Sequence, residues 1–548
     1  MNNFLRMTTP QQQPTFFQMP TALYTLFLPL IVLLPLDYFL LTDNSILPWD
    51  QAHYAATALR VTATLTESPT AFARTILNPI PDRMPGLAWI AAPFAPLGSA
   101  LANPARGVLL VTLILNNINL LLLSYILHKH GYAPIAHNAA IILAAGSTLL
   151  VGIGQTFFVE PLMLTGILWL IAMTRGFSFE SPNATLHGLL PLLLAILAKA
   201  AAPVYLFVPL MLSFHSFISQ NHSRRTLPLR QTISIHRTSL VLWLFFLIWL
   251  LKTGPAIIQR AAASSTGSLA SLYGNHSGIT AKASHWIGQL AIGTLPIPTL
   301  WNIELSIFSA ISIIILALRY RHTFVNDIRH RIALFSLLQL LMVFFLFSLA
   351  DNEDSRFLYG LLPYVLLIIA TLVHSLSRPY TYIALALVGL QYLNTYQYVY
   401  GLNSSYIQLN TYLTKRTTTQ EFLQNLQVLI TDTCNDSGPS YYNIVAVDLP
   451  ALNHNTMSTY SLLRSWPHLP QCLYTSLGYA ESNPATALTR LVQLGPRYII
   501  FPNVLPEYLD TDPFNRVSRA IHEELTNSPT SHYAPIRYKP YQIFTYHS

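Results

Sequence analysis

Charged residues are scarce in this chain of 548 residues, where Asp, Glu, Lys and Arg together make up only 9% of the sequence. Soluble globular domains carry about a quarter charged residues, so this composition excludes an ordinary soluble protein. The apolar share is 52% and the mean hydropathy is +0.42. Apolar runs recur that are long enough to cross a hydrocarbon core of about 30 Å as helices. Because lipid offers no partner for backbone N–H and C=O groups, the sequence predicts a polytopic α-helical membrane protein.

Cysteine is almost absent, with only Cys434 and Cys472, both in the last third of the chain. The pair leaves two interpretations open, a disulfide or two buried thiols. The sequence also lacks a GxxxxGK phosphate loop, a CxxC pair and an internal repeat, so nucleotide-driven transport has no support. The net charge of +8 does not indicate a nucleic-acid partner, because the basic residues fall in short clusters between the apolar runs.

The apolar runs predict about eleven membrane spans, and the first run is too long and lacks the cleavage site of a signal peptide. The predicted spans are 22–41, 107–127, 136–153, 162–174, two short ones within 189–214, 239–251, 305–318, one ending near 350, one ending near 378, and 380–400. Cytoplasmic loops carry an excess of Lys and Arg. The clusters at 224–237 and 319–331 are therefore predicted inside, which places Asp50, Glu160 and Asp354 together on the outer side.

Two domains are expected. Residues 1–400 would form the transmembrane catalytic domain, with an outer juxtamembrane loop at 42–106 that contains short helices at 50–66 and 86–101. Residues 401–548 show short β-type runs, 442–447 and 497–501, between helical segments. They predict an extramembrane α/β domain.

Ten residues with polar or charged side chains gather at the predicted outer ends of the spans. They are Asp50, His53, Tyr54, Asp82, Arg83, Glu160, Lys199, Asp354, Arg356 and Tyr359. A carboxylate among cations at a membrane boundary suits one chemistry well. The carboxylate can activate an acceptor hydroxyl or amine, and Lys or Arg can hold a phosphate leaving group.

At these positions the chain resembles the GT-C glycosyltransferases, integral membrane enzymes such as protein O-mannosyltransferases and the lipid A aminoarabinose transferase. The family has an acid, often followed by Glu, and soon a Tyr after the first span, then an acid and a base before paired prolines. It also has an acid at the outer end of the third span, a Lys within an apolar pair of spans, and a late Arg followed by an aromatic residue and a spaced proline. The matching stretches are Asp50-Gln51 with Tyr54, Asp82 to Trp89, Glu160-Pro161, Leu197-Ala198-Lys199, and Arg356-Phe357 with Pro363. Gln51, Met84 and Gly86 depart from the pattern.

The resemblance assigns a role to each candidate, and each has a plainer alternative. Asp50 would be the general base or the acid that orients the acceptor, or else the N-cap of the surface helix. Arg83, Lys199 and Arg356 would contact the donor phosphate, or snorkel to lipid headgroups. Asp82 and Glu160 would bind acceptor or metal, or pair with cations. His53 and Tyr54 are further acceptor or metal candidates, or helix-surface structure. Tyr359 would orient Arg356. A divalent metal is the one cofactor left open, and Gln51 in place of Glu weakens it.

The resemblance implies an inverting glycosyltransferase that moves a sugar from a polyprenyl-phosphate donor to a lipid, glycan or protein acceptor. Membrane lipids would be its other partners. The expected location is a bacterial inner membrane, with the site facing the periplasm or exterior. The alternatives are a transporter or flippase of lipid-linked sugars and an O-antigen polymerase or ligase. A transporter predicts pseudo-symmetric halves with charge at the membrane midplane, whereas here the charges gather at one predicted face.

Overall fold

The structure is a computed structural model. It describes residues 19–43, 45–77, 80, 83–100, 104–174, 177, 188–213, 229–266, 270, 274, 278–294, 327–402, 412–416, 421–435, 442–470, 472–478, 483–502, 513–527, 533–538 and 541–546.

The first part of the chain is helical. Its helices are α1 (Met19–Thr42), α2 (Trp49–Glu67), α3 (Pro69–Leu77), α4 (Gly86–Ala91), α5 (Ala95–Ala100), α6 (Pro104–Lys129), α7 (Pro134–Gly146), α8 (Thr148–Gly154), α9 (Glu160–Met173), α10 (Leu189–Ala198), α11 (Ala202–Tyr205), α12 (Leu229–Ser265), α13 (Ile279–Thr294), α14 (Ile328–Ser348), α15 (Leu362–Ser375) and α16 (Arg378–Val399). Two 3-10 helices, Ala92–Phe94 and Ser355–Leu361, connect α4 to α5 and lead into α15.

These helices confirm the predicted helical membrane fold. Within the described residues, five helices are long and apolar enough to cross a membrane, or six if the bent pair α7 and α8 is one span. The helices α9, α10 and α16 also correspond to predicted spans but do not meet that criterion of length and hydropathy. The predicted span at 305–318 lies outside the described residues.

One predicted helix end is wrong. The span predicted to end at residue 251 continues as α12 to Ser265, through Pro255. Proline removes one backbone donor, but a membrane helix tolerates it where neighbouring groups satisfy the freed carbonyl. The extension matters because the last turns of α12 line a cavity that Asp50 and Glu160 also border.

Polar side chains on α6 fix the place where the α8–α9 connection turns. The Asn116 amide donates to the Gly154 carbonyl and the Asn119 amide donates to the Pro161 carbonyl, each at 2.9 Å. Both asparagines are buried. Buried amide N–H groups that donate to backbone carbonyls hold a break between helices in one position, so α9 begins at a defined residue, Glu160.

The chain after α16 forms the predicted α/β domain. It contains α17 (Glu421–Asn435), α18 (His454–Ser465), α19 (Pro484–Leu494) and α20 (Pro513–Asn527). The strands are β1 (Tyr442–Val445), β2 (Leu473–Thr475), β3 (Tyr498–Pro502), β4 (Tyr533–Tyr538) and β5 (Tyr541–Tyr546), in the order β2-β1-β3-β5-β4. The strand β1 is parallel to β2 and β3, and β5 is antiparallel to β3 and β4. Cys434 and Cys472 form a disulfide, with Cα atoms 5.3 Å apart.

Helix α18 of this domain packs on α2 of the membrane part. The hydroxyl of Thr459 donates to the carbonyl of Ala52 at 2.7 Å, and the hydroxyl of Thr456 donates to the carbonyl of Leu47 at 3.3 Å. Both threonines are fully buried. These two contacts lie on either side of Asp50 in the sequence, so the C-terminal domain holds the backbone that carries this acid.

Candidate active site

Asp50 is the second residue of α2, and its carboxylate faces two guanidinium groups. Its Oδ1 lies 2.9 Å from Nη1 of Arg83, and its Oδ2 lies 3.4 Å from Nη1 of Arg356. The helix is preceded by Pro48 and has no side-chain cap. Asp50 therefore does not act as the N-cap that the sequence left open. Its side chain is 29% exposed, so it remains accessible to a ligand.

A second acid holds Arg356 from the other side. Asp354 caps the 3-10 helix by accepting from the backbone N–H of Arg356, and its Oδ2 lies 2.7 Å from the Arg356 guanidinium. The Tyr412 hydroxyl donates to Asp354 at 2.7 Å. The rings of Phe158 and Tyr412 lie 4.7 and 5.7 Å from the guanidinium carbon. Arg356 is thus fixed by charge and by aromatic faces together.

A fourth ion pair lies where α9 begins and α10 ends. Lys199 Nζ is 2.9 Å from Oε1 of Glu160, and it lies 4.3 Å from the centre of the Phe357 ring. The side chain of Glu160 is only 2% exposed, whereas that of Lys199 is 18% exposed. Gly86 lets the Arg83 segment approach this pair, because a Cβ at position 86 would lie 2.6 Å from the Leu197 carbonyl oxygen.

The charges of the site act directly on its acids. Burial acts to raise the pKa of Asp50, but the charges of Arg83 and Arg356 outweigh it and hold that pKa below its ordinary value. Burial likewise acts to raise the pKa of Asp354, and the Arg356 charge and hydrogen bond lower it overall. Both acids are therefore carboxylates at neutral pH.

These groups border a cavity of about 690 Å³. Among the described residues of its lining, two are acids, Asp50 and Glu160, and four are cations. The cations are Arg83, Lys199, Arg260 and Arg356. The described lining thus carries a formal excess of two positive charges, which favours an anionic ligand.

Three buried polar atoms near Glu160 have no hydrogen-bond partner within the described part of the chain. They are Oε2 of Glu160 and the hydroxyls of Tyr205 and Tyr359. Glu160 and Tyr205 line the cavity. Buried polar atoms are almost always paired in folded proteins, so these three indicate room for a polar ligand or water.

The remaining candidate residues differ in whether they contact the charged groups of the site. Tyr54 belongs to the site, because its hydroxyl lies 3.4 Å from Nη1 of Arg83. His53 packs edge-on against Tyr54, with ring centres 6.0 Å apart. Tyr359 is fully buried and makes no hydrogen bond to Arg356 among the described residues. Asp82 lies outside the described residues.

The described residues offer no ready metal site. They contain no group of three or more His, Cys, Asp or Glu side chains arranged to hold an ion. Asp50 is already paired with two guanidinium groups, and Glu160 is paired with an ammonium group. These described side chains therefore do not fit a divalent metal ion.

Three residues of the site, Tyr205, Arg260 and Tyr412, carry no signal in the sequence. Tyr205 and Arg260 lie on segments that the pattern assigned to apolar spans or to a polar loop, and nothing in their spacing marks them. Tyr412 lies in the predicted C-terminal domain, yet it hydrogen-bonds Asp354 of the membrane part. Only the tertiary fold brings Tyr205 and Arg260 to the cavity and Tyr412 to Asp354.

The helical bundle, the short helices at one end, the charged cavity beside them and the appended α/β domain define a membrane protein of the GT-C architecture. The fold resembles that of ArnT, a lipid A aminoarabinose transferase. A crystal structure of ArnT from Cupriavidus metallidurans bound to undecaprenyl phosphate superposes with a TM-score of 0.51 at 11% identity, covering 96% of this chain and 98% of that one. The apo structure gives 0.50 at 12% identity with the same coverage. No family model and no curated protein sequence matches the chain.

Proposed function

We propose that this protein is a glycosyltransferase that moves a sugar from a polyprenyl-phosphate donor to an acceptor. The observation that carries the proposal is the cavity, where four cations and two acids meet beside membrane helices. An anionic lipid phosphate satisfies that charge excess. The ArnT structure described as bound to undecaprenyl phosphate supports a ligand of this class.

The geometry also suits the reaction. Arg83 and Arg356 lie on either side of Asp50, so a phosphate held by them would place its sugar next to the carboxylate. In the transfer, an acceptor oxygen forms a bond to the anomeric carbon while the bond from that carbon to the phosphate oxygen breaks. Asp50 takes the acceptor proton, and the lipid phosphate leaves with the electron pair and its added negative charge. An in-line displacement of this kind inverts the anomeric carbon.

The other cavity residues have consistent places in this scheme. Lys199 and Arg260 would add positive charge along the leaving phosphate, where low dielectric strengthens each contact. Glu160 Oε2 and the hydroxyls of Tyr205 and Tyr359 would find partners in the sugar hydroxyls or in water. We place the site at the outer face of a bacterial inner membrane, as the distribution of Lys and Arg between spans favours.

Asp50→Asn tests the proposal, because it keeps the shape and removes the base. The purified protein is incubated with undecaprenyl-phosphate-linked sugars and membrane extract as the source of acceptor, and loss of sugar from the lipid is followed. We expect turnover to fall roughly 10²- to 10⁴-fold, with undecaprenyl phosphate binding retained. Asp43→Asn is the matched control, since this acid lies in the same loop and accepts from Ser45 at 3.0 Å. Turnover of Asp50→Asn within a few-fold of wild type would refute the assignment of the base.

A further inference from the structure

A second group of cations lies outside the cavity, on the segment that follows Tyr412. Lys415 and Arg416 are consecutive, and each lies against an aromatic ring. The Lys415 ammonium is 5.1 Å from the centre of the Tyr398 ring, and the Arg416 guanidinium is 5.1 Å from that of Tyr38. The Tyr38 and Tyr400 rings lie 6.1 Å apart. We call these five residues the Lys415–Arg416 cluster.

The backbone under the cluster is well anchored. The Arg416 N–H donates to the Val399 carbonyl at 2.8 Å. Thr414, which precedes Lys415, forms two hydrogen bonds with the Gln155 side chain. The Gln155 amide donates to the Thr414 carbonyl at 3.1 Å, and the Thr414 N–H donates to Gln155 Oε1 at 3.0 Å. The Tyr400 hydroxyl donates to the Pro35 carbonyl at 2.5 Å. The cations are therefore presented by a fixed surface that joins α1, α8 and α16.

Within the described part of the chain, neither cation of the cluster forms an ion pair. The ion pairs found among the described residues involve other cations, and none includes Lys415 or Arg416. Moreover, Nε of Arg416 is buried without a hydrogen-bond partner in the part of the chain that the structure describes. A buried guanidinium nitrogen without an acceptor is costly, so its position indicates that an acceptor binds there.

The location indicates what kind of acceptor this is. The apolar window of α1 ends at Thr42, so Tyr38 lies about one helical turn inside it. The ring of Tyr38 is 52% exposed, as expected for an aromatic residue at a membrane interface. Tyr398 and Tyr400 lie at the end of α16. Two cations beside such tyrosines lie at the level of the phospholipid headgroups, whose phosphates carry the negative charge that these cations lack.

We propose that the Lys415–Arg416 cluster is a binding site for the headgroup phosphate of an anionic phospholipid, separate from the cavity. The guanidinium fork and the ammonium suit the two free oxygens of a phosphodiester. A zwitterionic headgroup binds less well, because its own ammonium or choline is repelled by the two cations. The occupied site would also stabilise the segment whose Tyr412 holds Asp354.

The test measures binding of dioleoyl phosphatidylglycerol and dioleoyl phosphatidylcholine to the full-length protein in neutral detergent, by native mass spectrometry. We expect wild type to retain phosphatidylglycerol preferentially. The Lys415→Gln/Arg416→Gln variant should lose that affinity roughly 10-fold or more, because charge-assisted contacts disappear. Arg74→Gln/Lys252→Gln is the matched control, since it removes two exposed cations with no aromatic partner and should keep the affinity.

Two further arms distinguish the sources of the phosphate. In these arms, inorganic phosphate or undecaprenyl phosphate is added at the same concentration as phosphatidylglycerol. If either one displaces phosphatidylglycerol, the proposal is overturned in favour of a general phosphate site or a donor site. Equal affinity of wild type and the Lys415→Gln/Arg416→Gln variant, or equal losses in that variant and in the control, would also overturn it. Tyr38→Leu should weaken binding, whereas Tyr38→Phe should not, because only the first removes the ring that positions Arg416. Thermal unfolding of each variant shows that it is folded, and none of these substitutions alters the residues assigned to sugar transfer.

Discussion

Replacing Lys199 with Met tests whether this lysine is held in a structural ion pair or is free to bind substrate. Its ammonium lies 2.9 Å from Oε1 of Glu160, whose side chain is only 2% exposed. Met fills similar space without charge. The substitution therefore leaves a buried carboxylate with no cation, and breaking a buried pair in this way costs about 3–5 kcal/mol.

The converse substitution should cost less. Glu160→Gln leaves Lys199, whose side chain is 18% exposed, beside the Phe357 ring. The ammonium can then turn toward water, so we expect a loss of about 1–3 kcal/mol. The double variant Lys199→Met/Glu160→Gln has no unpaired buried charge and should recover most of the stability that Lys199→Met alone loses.

The assay is thermal unfolding of purified protein at fixed detergent and lipid, together with undecaprenyl phosphate binding. Lys252→Met is the control, because it removes an exposed lysine. The reasoning is refuted if Lys199→Met unfolds at the wild-type temperature, or if the double variant is no more stable than Lys199→Met. Either result, combined with weakened lipid binding in Lys199→Met, would make the lysine a phosphate contact alone.

Three further predictions concern the C-terminal domain. Thr459→Val removes the hydrogen bond to the Ala52 carbonyl and should lower stability by about 1 kcal/mol and reduce turnover, measured by unfolding and by sugar transfer. Burial, followed by the charges of nearby arginines, lowers the pKa of His454 to about 4. An unfolded histidine has a pKa of about 6.5, so the stability of the protein should fall as the pH drops from about 6.5 to about 4. The His454→Gln variant should not show this contribution to the loss of stability. Replacing Cys434 and Cys472 with Ser removes a link that spans 38 residues and should cost about 4 kcal/mol on the chain-entropy estimate, measured by unfolding of this domain.

Each of these has a control and a contrary outcome. Thr459→Ser keeps the hydroxyl and should behave as wild type, and equal losses in Ser and Val variants would contradict the hydrogen-bond argument. His468 is exposed, so His468→Gln should leave the pH profile unchanged. An unaltered profile in His454→Gln would show that other groups cause the acid loss. For the disulfide, reductant should reproduce the double Ser variant in wild type, and an unchanged midpoint would contradict the prediction.

The sequence was most informative about elements whose signal is local. The surface helix predicted at 50–66 is α2, Trp49–Glu67, and the strands predicted at 442–447 and 497–501 are β1 and β3. Apolar length and β-type alternation are properties of the segment itself, so they survive in the fold. The end of α12 was missed because Pro255 usually terminates a helix. The side of the membrane on which each loop lies and the domain boundary near residue 400 stay predictions.

The site itself depends on pairings that no local pattern contains. The sequence predicts that Asp50 and Arg356 lie on the same side of the membrane. They are 306 residues apart, so their contact depends on the packing of the whole helical bundle. It offered Glu160 either Lys199 as a partner or an acceptor to bind, and the structure shows the ion pair. The contact between Tyr412 and Asp354 could not be predicted, because the two residues belong to different predicted domains and meet only in the folded structure.

The pairing of Asp50 also affects how it can act as a base. A carboxylate held by two guanidinium groups is a weak base, because its charged form is stabilised. General base catalysis works best when the pKa lies near the working pH. In the proposed reaction, the donor phosphate and Asp50 share Arg83 and Arg356, so a bound phosphate draws positive charge away from the carboxylate and raises its pKa. Asp50 would then become an effective base only when the leaving group is in place. Such coupling ties proton removal to the presence of the donor.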